Sequence, residues 1–122
     1  MTFYYIATPY SKYPGGLEEA FLLAVRTRGL LVKAGIPCFS PIIHSHTVAK
    51  ECDIDPFSHA IWLPVEKHIL VCATGLIMVM AEGWEESCGM GEERKAFEAM
   101  GRPIFWMTPG VIPDELWGHW LG

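Results

Sequence analysis

The stretch from Gly75 to Trp106 constrains the fold of this 122-residue chain more than any other. Four segments follow one another in it: an apolar run, a polar turn with glycines, a helical pattern and a second apolar run. They span Gly75–Met80, Glu82–Gly91, about Gly89–Met100, and Pro103–Trp106. A strand, a turn, a helix and a strand form half of a parallel α/β sheet. Ligands of such sheets bind beyond the carboxyl ends of the strands, so we expect a binding site at this turn.

Glu93 has an unusual position on the predicted helix. With 3.6 residues per turn, it shares one face with Ala96, Phe97 and Met100, which are side chains that a helix packs against a sheet. The carboxylate should therefore point at the sheet edge rather than into bulk water. Two interpretations stay open: an acid that the helix dipole favours by roughly 0.3–1 kcal/mol, or a nucleophile or general base in a cleft.

Small and polar residues precede Glu93 in the turn. Gly89 and Gly91 each weaken a helix start by about 1 kcal/mol relative to alanine, and close approach of a ligand to the backbone would explain them. Ser87 suits the N-cap, where its hydroxyl and the free amides after it would bind an anion. Serine and glycine are also ordinary turn residues, so a purely structural role stays open.

The amino-terminal part of the chain predicts a βαβ unit. Its segments are the strand Thr2–Ala7, the turn Thr8–Gly16, a helix from about Leu17 to Ala34, and the strand Ile36–Ser40. A strand, a helix and a strand in this order imply a right-handed crossover between parallel strands.

Pro41 to Asp55 is predicted to be a loop with at most a helical turn. It carries His44 and His46, which lie on the same side of an extended backbone. With Cys52 or Asp53 they could bind a metal, but no ligand spacing of a known kind follows. Polar loop contacts or substrate contacts are the preferred interpretation, and we predict neither a metal nor a cofactor.

The segments that flank the central stretch are predicted to be helical. Pro56 to Cys72 forms a helix that either breaks near Pro64 or begins anew there. Glu66 lies near that helix start, where an acid that balances the dipole is the alternative to a functional carboxylate. From Met107 onward we predict a turn and a short helix, whose tryptophans either cover the core or form a subunit contact.

Composition narrows the class of protein. The chain is 51% hydrophobic and 19% charged, which predicts one globular domain over residues 1–122. A net charge of −5 argues against a nucleic-acid polymer or an anionic membrane surface as partner. The run Ile69–Ala81 is too short for the roughly 20 residues of a membrane span. The four cysteines show no Cys-x-x-Cys spacing and no signal peptide precedes them, so we expect free thiols in the cytoplasm.

Four segments carry a family resemblance through their order and spacing. They are Tyr5–Ser11 (YIATPYS), Phe39–His46 (FSPIIHSH), Ile61–Glu66 (IWLPVE) and Gly83–Glu93 (GWEESCGMGEE). Together they resemble the nucleoside 2-deoxyribosyltransferase superfamily, in particular its small bacterial and phage branch, which is related to the deoxynucleotide N-hydrolases. The resemblance covers about Phe3 to Trp106, and its most specific part is the Gly-Trp-Glu-x-Ser-x-Gly block followed by glutamate.

The resemblance implies a fold and a chemistry. The fold is α/β, a Rossmann-like (flavodoxin-like) three-layer sandwich with a central parallel sheet of four to five strands. The chemistry is at the N-glycosidic bond, where the glutamate of this block attacks the anomeric carbon; Glu93 holds that position. Tyr5 matches a tyrosine beside the nucleophile. Glu66 falls where relatives place an aspartate that orients the sugar or handles a proton.

The resemblance also implies a substrate-binding surface and an assembly. Ser87 and Gly89 match positions that hold a 5′-phosphate. The full set of implied substrate-binding residues is Ala7, Pro9, Tyr10, His46, Ser87, Gly89 and Gly91. Relatives complete their sites with a neighbouring subunit, so a homodimer or higher homo-oligomer is implied. The chain departs from relatives at Glu66, which is one methylene longer than aspartate, at Thr74, where aspartate is common, and in a longer turn before Ser87.

The sequence thus predicts that the chain binds a small nucleoside or nucleotide. The first hypothesis is cleavage of the N-glycosidic bond or deoxyribosyl transfer through a glutamate nucleophile, with hydrolysis and transfer both open. The second is a non-catalytic nucleotide-binding module that uses the same cleft. A third is a structural or interaction protein with a vestigial cleft. Release of free base separates the first hypothesis from the others.

Overall fold

A computed structural model describes residues 2–122. The strands are β1 (Tyr4–Ala7), β2 (Cys38–Phe39), β3 (Gly75–Val79) and β4 (Ile104–Met107). The helices are α1 (Leu17–Lys33), α2 (Pro41–Cys52), α3 (His59–Leu70), α4 (Cys88–Met100) and α5 (Asp114–Leu121). Within the described residues, four strands form one parallel sheet in the order β2-β1-β3-β4. This is the α/β Rossmann-like (flavodoxin-like) sandwich that we predicted, at the lower end of the expected four to five strands.

The two central strands are buried on both faces, which explains why their sequences are almost wholly apolar. Alternate side chains point to opposite sides. One face packs Tyr4, Ile6, Ile77 and Val79 against Leu31 of α1 and Leu116 of α5. The other packs Tyr5, Ala7, Leu76 and Met78 against Met90 and Phe97 of α4. Helices thus cover both faces of the sheet and make the three layers.

The strand order determines where a site can form. The chain runs from β1 outward to β2 and then returns to the other side of β1 to form β3. Successive connections therefore leave β1 and β3 in opposite directions, which opens a crevice beyond their carboxyl ends.

The segment Pro41–Cys52 is helix α2, so the predicted loop was wrong. Ser40 is its N-cap and accepts a hydrogen bond from the Ile43 amide at 3.3 Å, and Pro41 occupies the first turn. The sequence lacks the apolar periodicity of a helix here because the buried face of α2 carries the polar residues Ser45 and His46.

Helix α3 begins three residues later than predicted, at His59, and continues through Pro64, where neither a break nor a new helix start occurs. Pro64 lacks an N–H, so the Ala60 carbonyl loses its usual intrahelical donor. The Trp62 indole N–H donates to the Asp55 carbonyl at 2.8 Å and ties the helix to the preceding loop. None of the helices in the described part of the chain combines the length and hydrophobicity needed to cross a bilayer.

Candidate functional site

A cavity of about 820 Å³ lies at the carboxyl end of β1. Tyr5 and Thr8 come from β1 and the residues directly after it. The N-cap and the first two turns of α4 contribute Ser87, Cys88, Gly89, Met90, Glu92 and Glu93. The start of α2, the loop before α3 and one side of α3 complete the wall. The cavity therefore occupies the crevice that the strand order predicts, and its volume suits a small ligand.

Helix α4 presents Glu93 to the cavity and its charged neighbours to solvent. Ser87 is the N-cap, and its hydroxyl accepts a hydrogen bond from the Met90 amide at 3.3 Å. Lys95 pairs with Glu92 at 3.7 Å; both side chains are exposed, and Glu92 also borders the cavity. Glu93 instead lines the cavity on the side of the helix that packs Phe97 into the core. Glu93 therefore points where its spacing on the predicted helix indicated, toward the sheet edge rather than into bulk water.

The environment of Glu93 favours its protonated form. Burial, followed by the nearby charge of Glu66, raises the pKa of Glu93 to about 8. A side-chain hydrogen bond with Tyr5 acts in the opposite direction and lowers the pKa of Glu93, because it stabilises the carboxylate. Glu93 can therefore gain or lose a proton in the neutral to mildly alkaline range.

Tyr5 retains its proton throughout the working range of pH. Burial, the charges of Glu93 and Glu66 and the hydrogen bond with Glu93 all raise the pKa of Tyr5 far above its ordinary value. The residue is 2% exposed, and its ring packs against Phe39 and Phe97 with centroids 5.8 and 6.2 Å apart. Tyr5 is thus a fixed hydrogen-bond donor toward the Glu93 carboxylate.

Glu66 enters the cavity from α3 as a second carboxyl group. Burial raises its pKa to about 7. Its Oε2 atom is buried and has no hydrogen-bond partner among residues 2–122. A carboxyl group that titrates near neutral pH and lacks a protein partner is available to exchange a proton with a ligand.

Tyr10 lines the cavity and is held from behind by two further residues. Its hydroxyl lies 2.7 Å from Nδ1 of His46, and Nε2 of His46 lies 3.0 Å from Oε2 of Glu18. An ionised carboxylate only accepts hydrogen bonds, so a neutral His46 carries its proton on Nε2 and accepts from Tyr10 at Nδ1. His46 also stacks on Phe21 with centroids 4.5 Å apart. This arrangement fixes Tyr10 in the cavity wall.

The structure brings together six of the ten residues that the sequence singled out. Those that line the cavity are Tyr5, Tyr10, Glu66, Ser87, Gly89 and Glu93. The other four lie outside its lining: Ala7 and Pro9 are buried, His46 lies behind Tyr10, and Gly91 donates its amide hydrogen to the Ser87 carbonyl.

Sequence reasoning missed several cavity residues. Thr8 stands directly after β1, and its place inside the Tyr-x-Ala-x-Pro-Tyr segment was the available signal. Ser45, Phe57 and Trp62 lie in segments whose structure was predicted incorrectly or only coarsely. Phe57 lies 5.9 Å from Tyr10 between ring centroids, and the two rings form an aromatic patch in the cavity wall.

The two histidines of α2 lie in different surroundings. Residues two apart point to the same side of a strand but to different sides of a helix. His44 packs near Phe39 and Trp62, with ring centroids 6.3 and 6.2 Å away. Across residues 2–122, no group of three or more His, Cys, Asp and Glu side chains is placed to hold a metal ion.

Comparison with known proteins gives one match. The model of a family described as "Domain of unknown function (DUF1937)" matches residues 2–109, a span that contains all four strands and every residue that lines the cavity. A search of the curated proteins finds no match.

Proposed function

We propose that this chain, which belongs to the DUF1937 family, cleaves the N-glycosidic bond of a nucleoside or nucleotide, or transfers its deoxyribosyl group. The observation that carries the proposal is the convergence of Glu93, Glu66 and Tyr5 on one cavity at the carboxyl edge of the sheet. Glycosidic cleavage uses a pair of carboxyl groups, which Glu93 and Glu66 supply with raised pKa values, and the protonated Tyr5 stabilises the Glu93 carboxylate by a hydrogen bond.

The proposed reaction proceeds in two steps. The Glu93 carboxylate attacks the anomeric carbon and forms a glycosyl ester, while the C–N bond breaks and its electron pair leaves with the base. Glu66 donates a proton to the departing base. Water, or a second base, then attacks the same carbon and displaces Glu93, and Glu66 accepts the proton that the attacking group releases.

The protonation states of the two glutamates are coupled in a way that suits this sequence. When Glu66 holds a proton, it no longer repels a negative charge on Glu93, which then ionises more readily. The hydrogen bond with Tyr5 favours the same ionised form. The reactive combination is therefore a protonated Glu66 beside an ionised Glu93.

The remainder of the cavity suits a flat, largely apolar ring. Ile42, Phe57 and Trp62 contribute to its wall, and Phe57 is 50% exposed. A nucleobase could lie against these side chains while its sugar faces Glu93. This division of the cavity supports a nucleoside or nucleotide as the substrate class.

One observation favours a second candidate, a non-catalytic nucleotide-binding module. With a pKa of about 8, Glu93 is mainly protonated at neutral pH. A protonated carboxyl group donates a hydrogen bond to a ligand instead of attacking it. Binding without product is the behaviour that this candidate predicts.

A substrate panel separates the two candidates. The unmutated protein is incubated with 2′-deoxynucleosides, their 5′-monophosphates and the corresponding ribo compounds, and free base is measured by chromatography. We expect release from at least one 2′-deoxy compound, and exchange of bases when a second base is added would identify transfer. A rise in melting temperature without free base would support the binding module, and neither response would exclude both.

The proposal carries two expectations about the protein in the cell. We propose that it acts in the cytoplasm and that it forms a homodimer or higher homo-oligomer. Light scattering on the purified protein measures the second directly, and a monomer mass under conditions where base is released would contradict it.

A further inference from the structure

Thr8 has a polar atom that the protein itself leaves unsatisfied. The residue is 4% exposed, lines the cavity directly after β1, and its Oγ1 has no hydrogen-bond partner within the described chain, residues 2–122. Buried hydroxyl groups are nearly always paired, and leaving one unpaired costs stability. The position at a cavity wall indicates that a ligand supplies the partner.

The chemistry of the wall narrows the partner to a sugar hydroxyl. Thr8 directly follows β1, the strand that carries Tyr5, and it lines the same cavity as Tyr5 and Glu93, which the sugar must approach for the reaction. The apolar side chains that suit a base lie on α2, on α3 and in the loop before α3. A threonine hydroxyl both donates and accepts, and a sugar hydroxyl has the same two capacities.

We propose that the Thr8 hydroxyl binds a hydroxyl group of the substrate's sugar and thereby makes Thr8 a specificity-determining residue. In a 2′-deoxynucleoside the available ring hydroxyl is the one at the 3′ position. This inference rests on the proposed function because it takes the nucleoside from it. It adds a residue that recognises the sugar rather than the base or the phosphate.

Two substitutions isolate the hydroxyl. Thr8→Val keeps the branched shape and removes the oxygen, whereas Thr8→Ser keeps the oxygen. Each is made in the Glu93→Gln background so that the ligand stays intact, and dissociation constants are measured by titration calorimetry. We expect Thr8→Val to weaken binding of a 2′-deoxynucleoside about tenfold and Thr8→Ser to stay within about twofold of the Thr8 protein.

A second ligand shows which sugar hydroxyl Thr8 binds. With a 2′,3′-dideoxynucleoside of the same base, Thr8→Val should change the affinity less than about twofold, because the proposed partner is missing from the ligand. The protein with Thr8 intact should itself prefer the 2′-deoxy ligand about tenfold. That comparison needs no substitution at Thr8, so it keeps the test decisive even if Thr8→Val folds poorly.

The melting temperature gives an independent test of the unpaired Thr8 hydroxyl. The ligand-free melting temperature of Thr8→Val should equal or exceed that of the Thr8 protein, since an unpaired buried hydroxyl has been removed. Equal affinity of Thr8→Val for the deoxy ligand, or an equal loss for both ligands, would overturn the proposal. If ligands bind but the unmutated protein releases no base, the glycosidase proposal fails and the Thr8 comparison still stands. If no nucleoside binds, both are overturned.

Discussion

Three side chains determine which groups of the cavity carry protons at a given pH. Tyr5 keeps its proton, whereas Glu66 and Glu93 have pKa values raised to about 7 and about 8. Since the two glutamates interact, these values describe the pair, and the singly protonated pair is most populated between them. Activity of the kind proposed requires that singly protonated state.

The proton arrangement predicts a bell-shaped pH dependence of base release. The ratio kcat/KM should peak near the middle of the interval from about 7 to about 8, since it reports the groups of the free protein. Glu66→Gln should lower the rate and remove the alkaline limb, whereas the acidic limb should stay near its place, because Glu66 is already uncharged when Glu93 first ionises. An alkaline limb that persists in Glu66→Gln would contradict the assignment.

At the residue scale, the sequence predicted that Glu93 faces the cavity but not the hydrogen-bond network behind Tyr10. Glu93 was accessible to prediction because its place on the helix face depends only on local spacing. The contact of Tyr10 with His46 spans 36 positions of sequence, and that of His46 with Glu18 spans 28, so no local pattern contains either. The unpaired hydroxyl of Thr8 is likewise a property of the folded surroundings.

At the scale of elements, the apolar pattern decided what could be predicted. The buried strands β1 and β3 and helix α4 carry strong apolar signals and a clear cap or boundary, and their predicted positions agree with the structure. Helix α2 was missed because its buried face is polar, although Ser40 and Pro41 form a regular helix start. In α3 the fold tolerates Pro64, which a local argument treats as a break.

The turn between β3 and α4 supplies a prediction at this scale. Gly83 has φ +89, and a Cβ there would lie 2.4 Å from the Lys12 carbonyl oxygen in the loop after β1. Gly83→Ala should lower the free energy of unfolding by at least about 2 kcal/mol, since it combines a left-handed backbone with a backbone clash. Chemical denaturation measures the change.

Gly29 in α1 provides the matched control. Among the described residues, a Cβ at Gly29 would meet no atom within 4 Å. Gly29→Ala should therefore stabilise the chain by about 0.5–1 kcal/mol through helix propensity. A Gly83→Ala protein as stable as the unmutated one would show that the two loops at the cavity edge are not held together as described.

At the scale of the whole molecule, a parallel sheet covered by helices on both faces forms a crevice between the carboxyl ends of β1 and β3. The carboxyl groups of Glu66 and Glu93 are buried in this crevice, and no cation is among the groups that shift their pKa values. Keeping Glu93 in this position works against stability whenever it is ionised. The protonation state of Glu93 in the cavity therefore affects the stability of the fold.

This connection predicts how stability depends on pH. The folded pKa of Glu93, about 8, lies above its ordinary value of 4.5, so the folded chain binds more protons between those values. The contribution of Glu93 is complete below about pH 4.5 and is lost as the pH rises through about 8. Denaturation at several pH values should show a shallower decline for Glu93→Gln than for Glu98→Gln. Equal slopes would contradict the burial of Glu93.

The most direct measurement is the rate of base release by Glu93→Gln beside Glu98→Gln, with the best substrate of the panel. Both variants replace one carboxyl group of α4 with an amide, but Glu98 is 54% exposed and pairs with Arg94 away from the cavity. The account predicts that Glu93→Gln lowers kcat at least about 10³-fold, whereas Glu98→Gln stays within about twofold. Base release by Glu93→Gln at the rate of the unmutated protein would contradict it.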